Sequence, residues 1–320
     1  MTQDTPIERH VLQDGDVRIA VLSMGCAVQD WQVGDTHVVL GYANPEDYRT
    51  NPVAMGTVCG RVVNRIRNAR FDIDGTTYRL PANSGPNHIH GGPGGLGLSN
   101  WQMDRDGARA VLLRHHSTDL DQGYPGAVDF SVEMRLDGHR LTYIMTGTPS
   151  QKTPINLAQH IYFNLMGNGT VRDHVLRIDA DTYTPNAADN MPMGRIDPVD
   201  GTRYDFRTPK RLEDADQERA GWDGNLLLNQ TTQPKAEVTA PNGMRLRLWS
   251  QERGLQLYTS NTLGPHGSPL PGPPHAPFAG ICLEAQGMPV AFGTDALEQS
   301  LCEPGRDYFQ KLEIEIAPDA

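Results

Sequence analysis

Residues 156–167 read NLAQHIYFNLMG. Side chains alternate between the two faces of an extended chain. One face carries Leu157, Ile161, Phe163 and Leu165, with Gln159 as the exception; the other carries Asn156, Ala158, His160, Tyr162 and Asn164. The first is a core face. The second is too polar for core and too rich in amides and aromatics for a plain solvated surface. A lone histidine on a strand is more often structural than catalytic, but this one has counterparts. In GICLEAQG, residues 280–287, Ile281, Leu283 and Ala285 alternate with Cys282, Glu284 and Gln286. In GLQLYTSN, residues 254–261, Leu255 and Leu257 alternate with Gln256 and Tyr258. Three strands thus present His160, Glu284 and Gln256 opposite their apolar sides. Ionisable groups rarely occupy such positions without partners or a task. An acid/base pair with amide and aromatic neighbours suits a polyhydroxylated substrate, whose hydroxyls need hydrogen-bonding groups and whose C–H faces need aromatic surface.

Other motifs carry less. GPGGLG at 92–97 has the spacing of a dinucleotide-binding loop but lacks the strand before it and the helix after it. His88 and His90 form an HxH pair with no third ligand at a recognisable spacing, so no metal and no cofactor are expected. His115–His116 is read as a solvated strand end, and no GxSxG nucleophile turn occurs.

The elements that must position these residues are strands throughout. Alternating runs flank Asp74–Gly75, Asp137–Gly138 and Asn242–Gly243. Asx–Gly pairs between such runs mark hairpins, because the turns require positive φ. Short helices are expected only at 45–50 and 213–220. The pattern predicts an all-β fold, an antiparallel sandwich or barrel, over a single domain spanning 1–320. The segment 264–280 has six Pro and four Gly in seventeen residues, which excludes helix and central strand. A structured loop beside the site and a tolerated insertion remain equally open.

The chain has 320 residues and a net charge of −11, with no basic stripe, which argues against nucleic acid. No apolar run approaches the roughly 18 residues of a membrane span. The N-terminal residues lack a basic start followed by an apolar stretch, and four scattered cysteines show no CxxC spacing. Free thiols in a reducing cytoplasm are expected.

Several stretches, taken in order, resemble the aldose 1-epimerase (galactose mutarotase) family: GRVVNRIRNARFDIDGTTYRLPANSGPNHIHGG, INLAQHIYFNLMG, DTYTPNAADNMPMGRIDPVDGTRYDFR, GWDGNLLL, LQLYTSNTL, GICLEAQGMP and PGRDY. They follow the family's order across roughly residues 56–310. Two stretches depart from it, the Pro-rich 264–280 segment and AQGMPVAFGTDA after Glu284, and a position bordering the site is open for both. The resemblance implies a large antiparallel β-sandwich and a free monosaccharide as substrate, in a monomer or homodimer. It implies Glu284 as general base toward the anomeric hydroxyl and His160, protonated, as general acid toward the ring oxygen. Asn64, Arg65, His90, Asp223 and Gln256 would bind substrate oxygens, with His90 the second candidate for the acid. A nearby carboxylate is expected to favour the protonated imidazole. The acidic limb of the pH profile would then report Glu284 and the basic limb His160. Trp222 could be a stacking platform or packing. Two other functions compete: a glycoside-processing enzyme using Asp223 and Glu284, and a sugar-binding module without turnover. The preferred sugar is not encoded in the pattern, because epimer choice depends on a few pocket contacts.

Overall fold

The computed structural model describes residues 5–319. The chain folds as an all-β antiparallel sandwich. A nine-stranded sheet runs in the order Gln102–Asp106, Ala110–Ser117, Val128–Asp137, Arg140–Pro149, Tyr308–Pro318, Met244–Ser250, Ala236–Thr239, Val175–Ile178, Lys210–Arg211. A five-stranded sheet runs Asp197–Pro198, Ala180–Thr184, Asp223–Leu228, Gly254–Tyr258, Cys282–Gln286. The apolar faces of both sheets meet in one core: Val132, Met134 and Leu141 from the first, Leu255, Leu257, Leu283 and Ala285 from the second. The alternation in the sequence is therefore the alternation between this core and the outer face of the five-stranded sheet. A four-stranded sheet from Arg9 to His37 completes the framework.

The hairpins form where Asx–Gly pairs predict them, with small shifts. Asp74 (φ 50°) and Gly75 (φ 80°) make a two-residue turn between Arg70–Ile73 and Thr76–Arg79. At the second hairpin Asp137 still pairs with Arg140, so the turn is Gly138–His139, one residue later than the pair. At the third, the Asn242 side chain accepts a hydrogen bond from Met244 N–H inside a wider loop.

The helices are shorter than the sequence suggests. Residues Pro45–Arg49 form a 3-10 turn. The expected helix at 213–220 is a single α-turn, Leu212–Ala215. The buried Asp216 carboxylate ends it by accepting the N–H groups of Ala220 and Gly221 and pairing with Arg172 and Arg203. These bonds offer the backbone an alternative to the helix. A further helix, Thr294–Ser300, has no counterpart in the sequence reading.

The 264–280 segment is a structured strap. Pro269 bridges Tyr42, Ala43 N–H bonds to Ser268 O, and the His275 ring nitrogens lie 2.7 and 3.2 Å from His266 O and Gly41 O. Trp222 belongs to the core, packed edge-on against Phe206. That settles it as packing. All four cysteines are free and buried.

Candidate active site

Three neighbouring strands of the five-stranded sheet supply the floor of the site. Register places Gln256 opposite Glu284 on one side and Asn225 on the other, with Asp223 opposite Tyr258. The histidine segment joins them irregularly. Ala158–Gln159 pairs with Val58–Cys59, and the ladder then stops, contrary to the continuous strand suggested by the sequence. Phe163 bridges Ile281 through bonds of 2.8 and 2.9 Å. That register, carried back three residues, sets His160 opposite Glu284. Between them the Gln159 amide replaces the missing backbone bonds: its Nε2 donates to Leu283 O (2.7 Å) and its Oε1 accepts Ile161 N–H (2.8 Å). This explains the polar exception on the apolar face. Gln159 joins the His160 segment to the Glu284 strand.

His160 Nε2 lies 3.6 Å from Glu284 Oε1. Both are buried, and Glu284 Oε2 has no hydrogen-bond partner among the described residues. The imidazole stacks on Tyr162 at 5.1 Å and meets the edges of His90 and Tyr258. Its Nδ1 lies 3.6 Å from Cys282 Sγ.

The expected substrate binders form a connected chain. Asn64 Nδ2 donates to Gln256 Oε1 (3.0 Å), and Gln256 Nε2 donates to Asp223 Oδ1 (2.6 Å). Arg65 lies 3.6 Å from the other Asp223 oxygen, and its backbone N–H bonds to Asn64 Oδ1. Asn64 N–H donates to His90 Nδ1 (3.3 Å). Asn64 and His90 both adopt positive φ, 63° and 53°, which turns these side chains toward the sheet. Gly91 follows because a Cβ there would lie 1.7 Å from Gly60 O.

His160, Glu284, Asn64, Arg65, His90, Asp223 and Gln256 all line one cavity of about 360 Å³. Sequence reasoning missed Asn83, Ser84, Asn190 and Thr262, which come from loops, and gave Tyr162 and Tyr258 no role although alternation placed both on the polar faces. Neither departing stretch lines this cavity, which closes the question left open in the sequence. The strap is tied to residues 41–47, and Gln286 Nε2 donates to Asn225 Oδ1.

The HxH pair does not converge. His88 is fully buried, with Nδ1 2.7 Å from Pro81 O and Nε2 2.8 Å from Tyr124 OH, whereas His90 faces the cavity. His116 is exposed beside Asp129, and His115 packs on Trp101. The GPGGLG stretch contains only a single 3-10 turn.

The electrostatics reverse one expectation. Burial holds the His160 imidazole down to about 4, and burial with help from Asp223 pushes the Glu284 carboxyl well above the usual range, Arg65 opposing. For both groups burial is the largest cause, and it disfavours the charged form of each. Burial, with lesser contributions from His160 and Arg65, also holds His90 well below its ordinary value.

Residues 8–315 match the family model described as aldose 1-epimerase. The chain belongs to the aldose 1-epimerase family. It is 34% identical over 314 residues to galactose mutarotase of Sus scrofa, covering 94% of this chain and 92% of that one. It is 35% identical over 293 residues to aldose 1-epimerase of Escherichia coli K12, covering 87% and 84%. Among solved structures it is similar to galactose 1-epimerase from Lactobacillus acidophilus NCFM (TM-score 0.89, 25% identity, 100% of this chain and 97% of that one). It also resembles an aldose epimerase homologue from C. elegans (TM-score 0.92, 24% identity, 98% and 100%). As a member of the aldose 1-epimerase family the protein is an isomerase, and the family's activity is the interconversion of aldose anomers. Among the described residues no helix is long and apolar enough to cross a membrane.

Proposed function

We propose that the cavity binds a free aldohexose, such as glucose or galactose, and interconverts its α and β anomers by general acid/base ring opening. Glu284 takes the proton of the anomeric hydroxyl, and His160 delivers one to the ring oxygen. The ring opens to the aldehyde, rotation about C1–C2 presents the other face, and closure reverses the transfers. The observation that carries this reading is the 3.6 Å separation of His160 Nε2 and Glu284 Oε1 in a buried, hydrogen-bonding cavity. The two reacting oxygens are bonded to the same carbon, so the acid and base must converge on one point.

The electrostatics fit this role. A neutral imidazole beside a protonated carboxyl holds the same number of protons as an imidazolium beside a carboxylate. The pair therefore carries one transferable proton in either arrangement, as a reaction that runs in both directions requires. Each correctly placed group contributes about 10²–10⁴-fold.

His90 serves as a binder. Its Nδ1 accepts the Asn64 N–H, so the neutral ring carries its proton on Nε2, ready to donate to a sugar oxygen. Asp223, tied to Gln256 and Arg65, is a fixed acceptor for hydroxyls rather than the free nucleophile a glycosidase needs. The retained acid/base pair argues against a module without turnover. Four unpaired buried thiols suit a reducing cytoplasm.

Polarimetry on freshly dissolved α-glucose and α-galactose tests the reading. Rotation should relax faster with protein than without, and a chromogenic glycoside should remain intact. Hydrolysis of the glycoside, or no acceleration with either sugar, would overturn it.

A further inference from the structure

His160 and Glu284 have a third neighbour that the sugar chemistry does not use. Among the described residues, His160, Cys282 and Glu284 each place one donor atom within 4.8 Å of the others, and all three residues are buried. Cys282 and Glu284 are two apart on the same strand, so they point to the same face, and the imidazole lies across both. Its Nδ1 is 3.6 Å from the thiol sulfur and its Nε2 is 3.6 Å from a Glu284 oxygen. The second carboxylate oxygen is buried with no partner among the described residues.

We propose that His160, Cys282 and Glu284 form a binding site for a borderline-soft divalent cation of the zinc type, and that the bound cation blocks the cavity. Three arguments support it. First, zinc–ligand bonds of about 2.0–2.3 Å in a tetrahedron set neighbouring donors about 3.6 Å apart, and one donor atom from each residue already lies within 4.8 Å of the others. The two 3.6 Å contacts fall on different ring nitrogens and the cation takes one, so binding requires the imidazole and the Cys282 side chain to turn about their own bonds. Second, one thiolate and one carboxylate, with a neutral imidazole, together neutralise a divalent ion, which suits a buried position; the thiol and carboxyl protons leave to solvent as the bonds form. Third, a nitrogen–sulfur–oxygen set selects zinc, cobalt or cadmium over magnesium and calcium, which prefer oxygen alone. The fourth position faces the cavity of about 360 Å³ and is open to water. Binding does not depend on the proposed function; the block does, because the cation occupies both groups assigned to proton transfer.

The test uses the full-length protein after chelator treatment and dialysis. Zinc binding is measured by equilibrium dialysis for wild type, Cys282→Ala and Cys282→Ser, each checked by circular dichroism, and cobalt serves as an optical probe. The expected result is one zinc per chain, bound roughly tenfold or more weakly by both variants. Cobalt should give thiolate charge-transfer absorption and four-coordinate visible bands that vanish in Cys282→Ser, and magnesium should not compete. Zinc should slow wild-type mutarotation at concentrations roughly tenfold or more below those that slow Cys282→Ala, each rate taken relative to the same protein without zinc. Equal zinc affinity in wild type and both variants, or a cobalt spectrum without charge transfer, would overturn the site. Zinc held through Cys282 with an unslowed wild-type rate would overturn the block.

Discussion

Replacing Glu284 by glutamine isolates the base from everything else the residue does. The amide keeps the carboxyl's shape, and the position is only 2% exposed, so packing is preserved. No other group can take over the proton. In the proposed mechanism His160, 3.6 Å away, serves the ring oxygen, and Asp223 is held by Gln256 at 2.6 Å and by Arg65. With no substitute base, kcat should fall by about 10²–10⁴-fold, which is about 3–5 kcal/mol of transition-state stabilisation. KM should change little, because the Asn64–Gln256–Asp223 chain is untouched. The same substitution has a signature in stability. Burial raises the Glu284 carboxyl, so the folded state holds that proton more tightly than the unfolded chain does. Its contribution is full below the unfolded pKa, about 4.3, and is lost as pH rises toward the higher folded value. Glutamine carries no such proton. The Tm of Glu284→Gln should therefore gain on that of wild type as pH rises. Polarimetry across a range of α-galactose concentrations gives kcat and KM, and thermal melts at several pH values give the second readout. A Glu284→Gln variant with a native circular dichroism spectrum and more than about a tenth of wild-type kcat would refute the base assignment.

Four further outcomes are expected. His160→Asn should lower kcat more than it raises KM, and His90→Asn should affect KM at least as much as kcat; the opposite pattern in polarimetric kinetics would exchange their roles. Asp223→Asn should raise KM by about ten- to a hundredfold, the loss of a hydrogen bond to a charged group, and an unchanged KM would remove it from the binding set. The pH profile of kcat/KM should be a broad bell whose acidic limb is the pair gaining a second proton, near the His160 value of about 4, and whose basic limb is the pair losing its only proton, well above the ordinary carboxylate range. This swaps the limbs expected from the sequence; a narrow bell centred between ordinary Glu and His values would contradict it. Burial also holds His174 down to about 4, so its share of stability is present above the unfolded value of about 6.5 and lost as pH falls toward 4. Urea melts across that window should show a smaller loss for His174→Gln than for wild type, and parallel losses would refute the assignment.

The site residues were legible because alternation is a local property. His160, Glu284 and Gln256 each sit opposite apolar neighbours that the core had to claim, and the Asx–Gly turns could be located from turn chemistry alone. What stayed hidden depends on tertiary distance. Ser84, Asn190 and Thr262 reach the cavity from loops whose paths no periodicity records. The direction of the His160 shift is a contest between desolvation and Coulomb attraction, and burial decides it only once the fold exists. The Pro-rich strap was recognisable as irregular, but its docking on Tyr42 and Asp47, away from the cavity, was not. The helix at 213–220 failed because Asp216, unremarkable in sequence, turns inward to meet two arginines.

The splice made by Gln159 separates two inheritances. His160 and Glu284 are held in register by the Phe163–Ile281 backbone bonds and by the Gln159 amide reaching Leu283 O, while the loops carrying Ser84, Asn190 and Thr262 enter the cavity from other parts of the chain. Under the proposed function, sequence drift in those loops changes which sugar is accepted without retuning proton transfer. Substitutions at Ser84, Asn190 and Thr262 should accordingly spread KM values among aldoses at nearly constant kcat, whereas Gln159→Leu should lower kcat for every sugar alike. A Gln159→Leu variant that discriminated among sugars instead would show that the two inheritances are entangled.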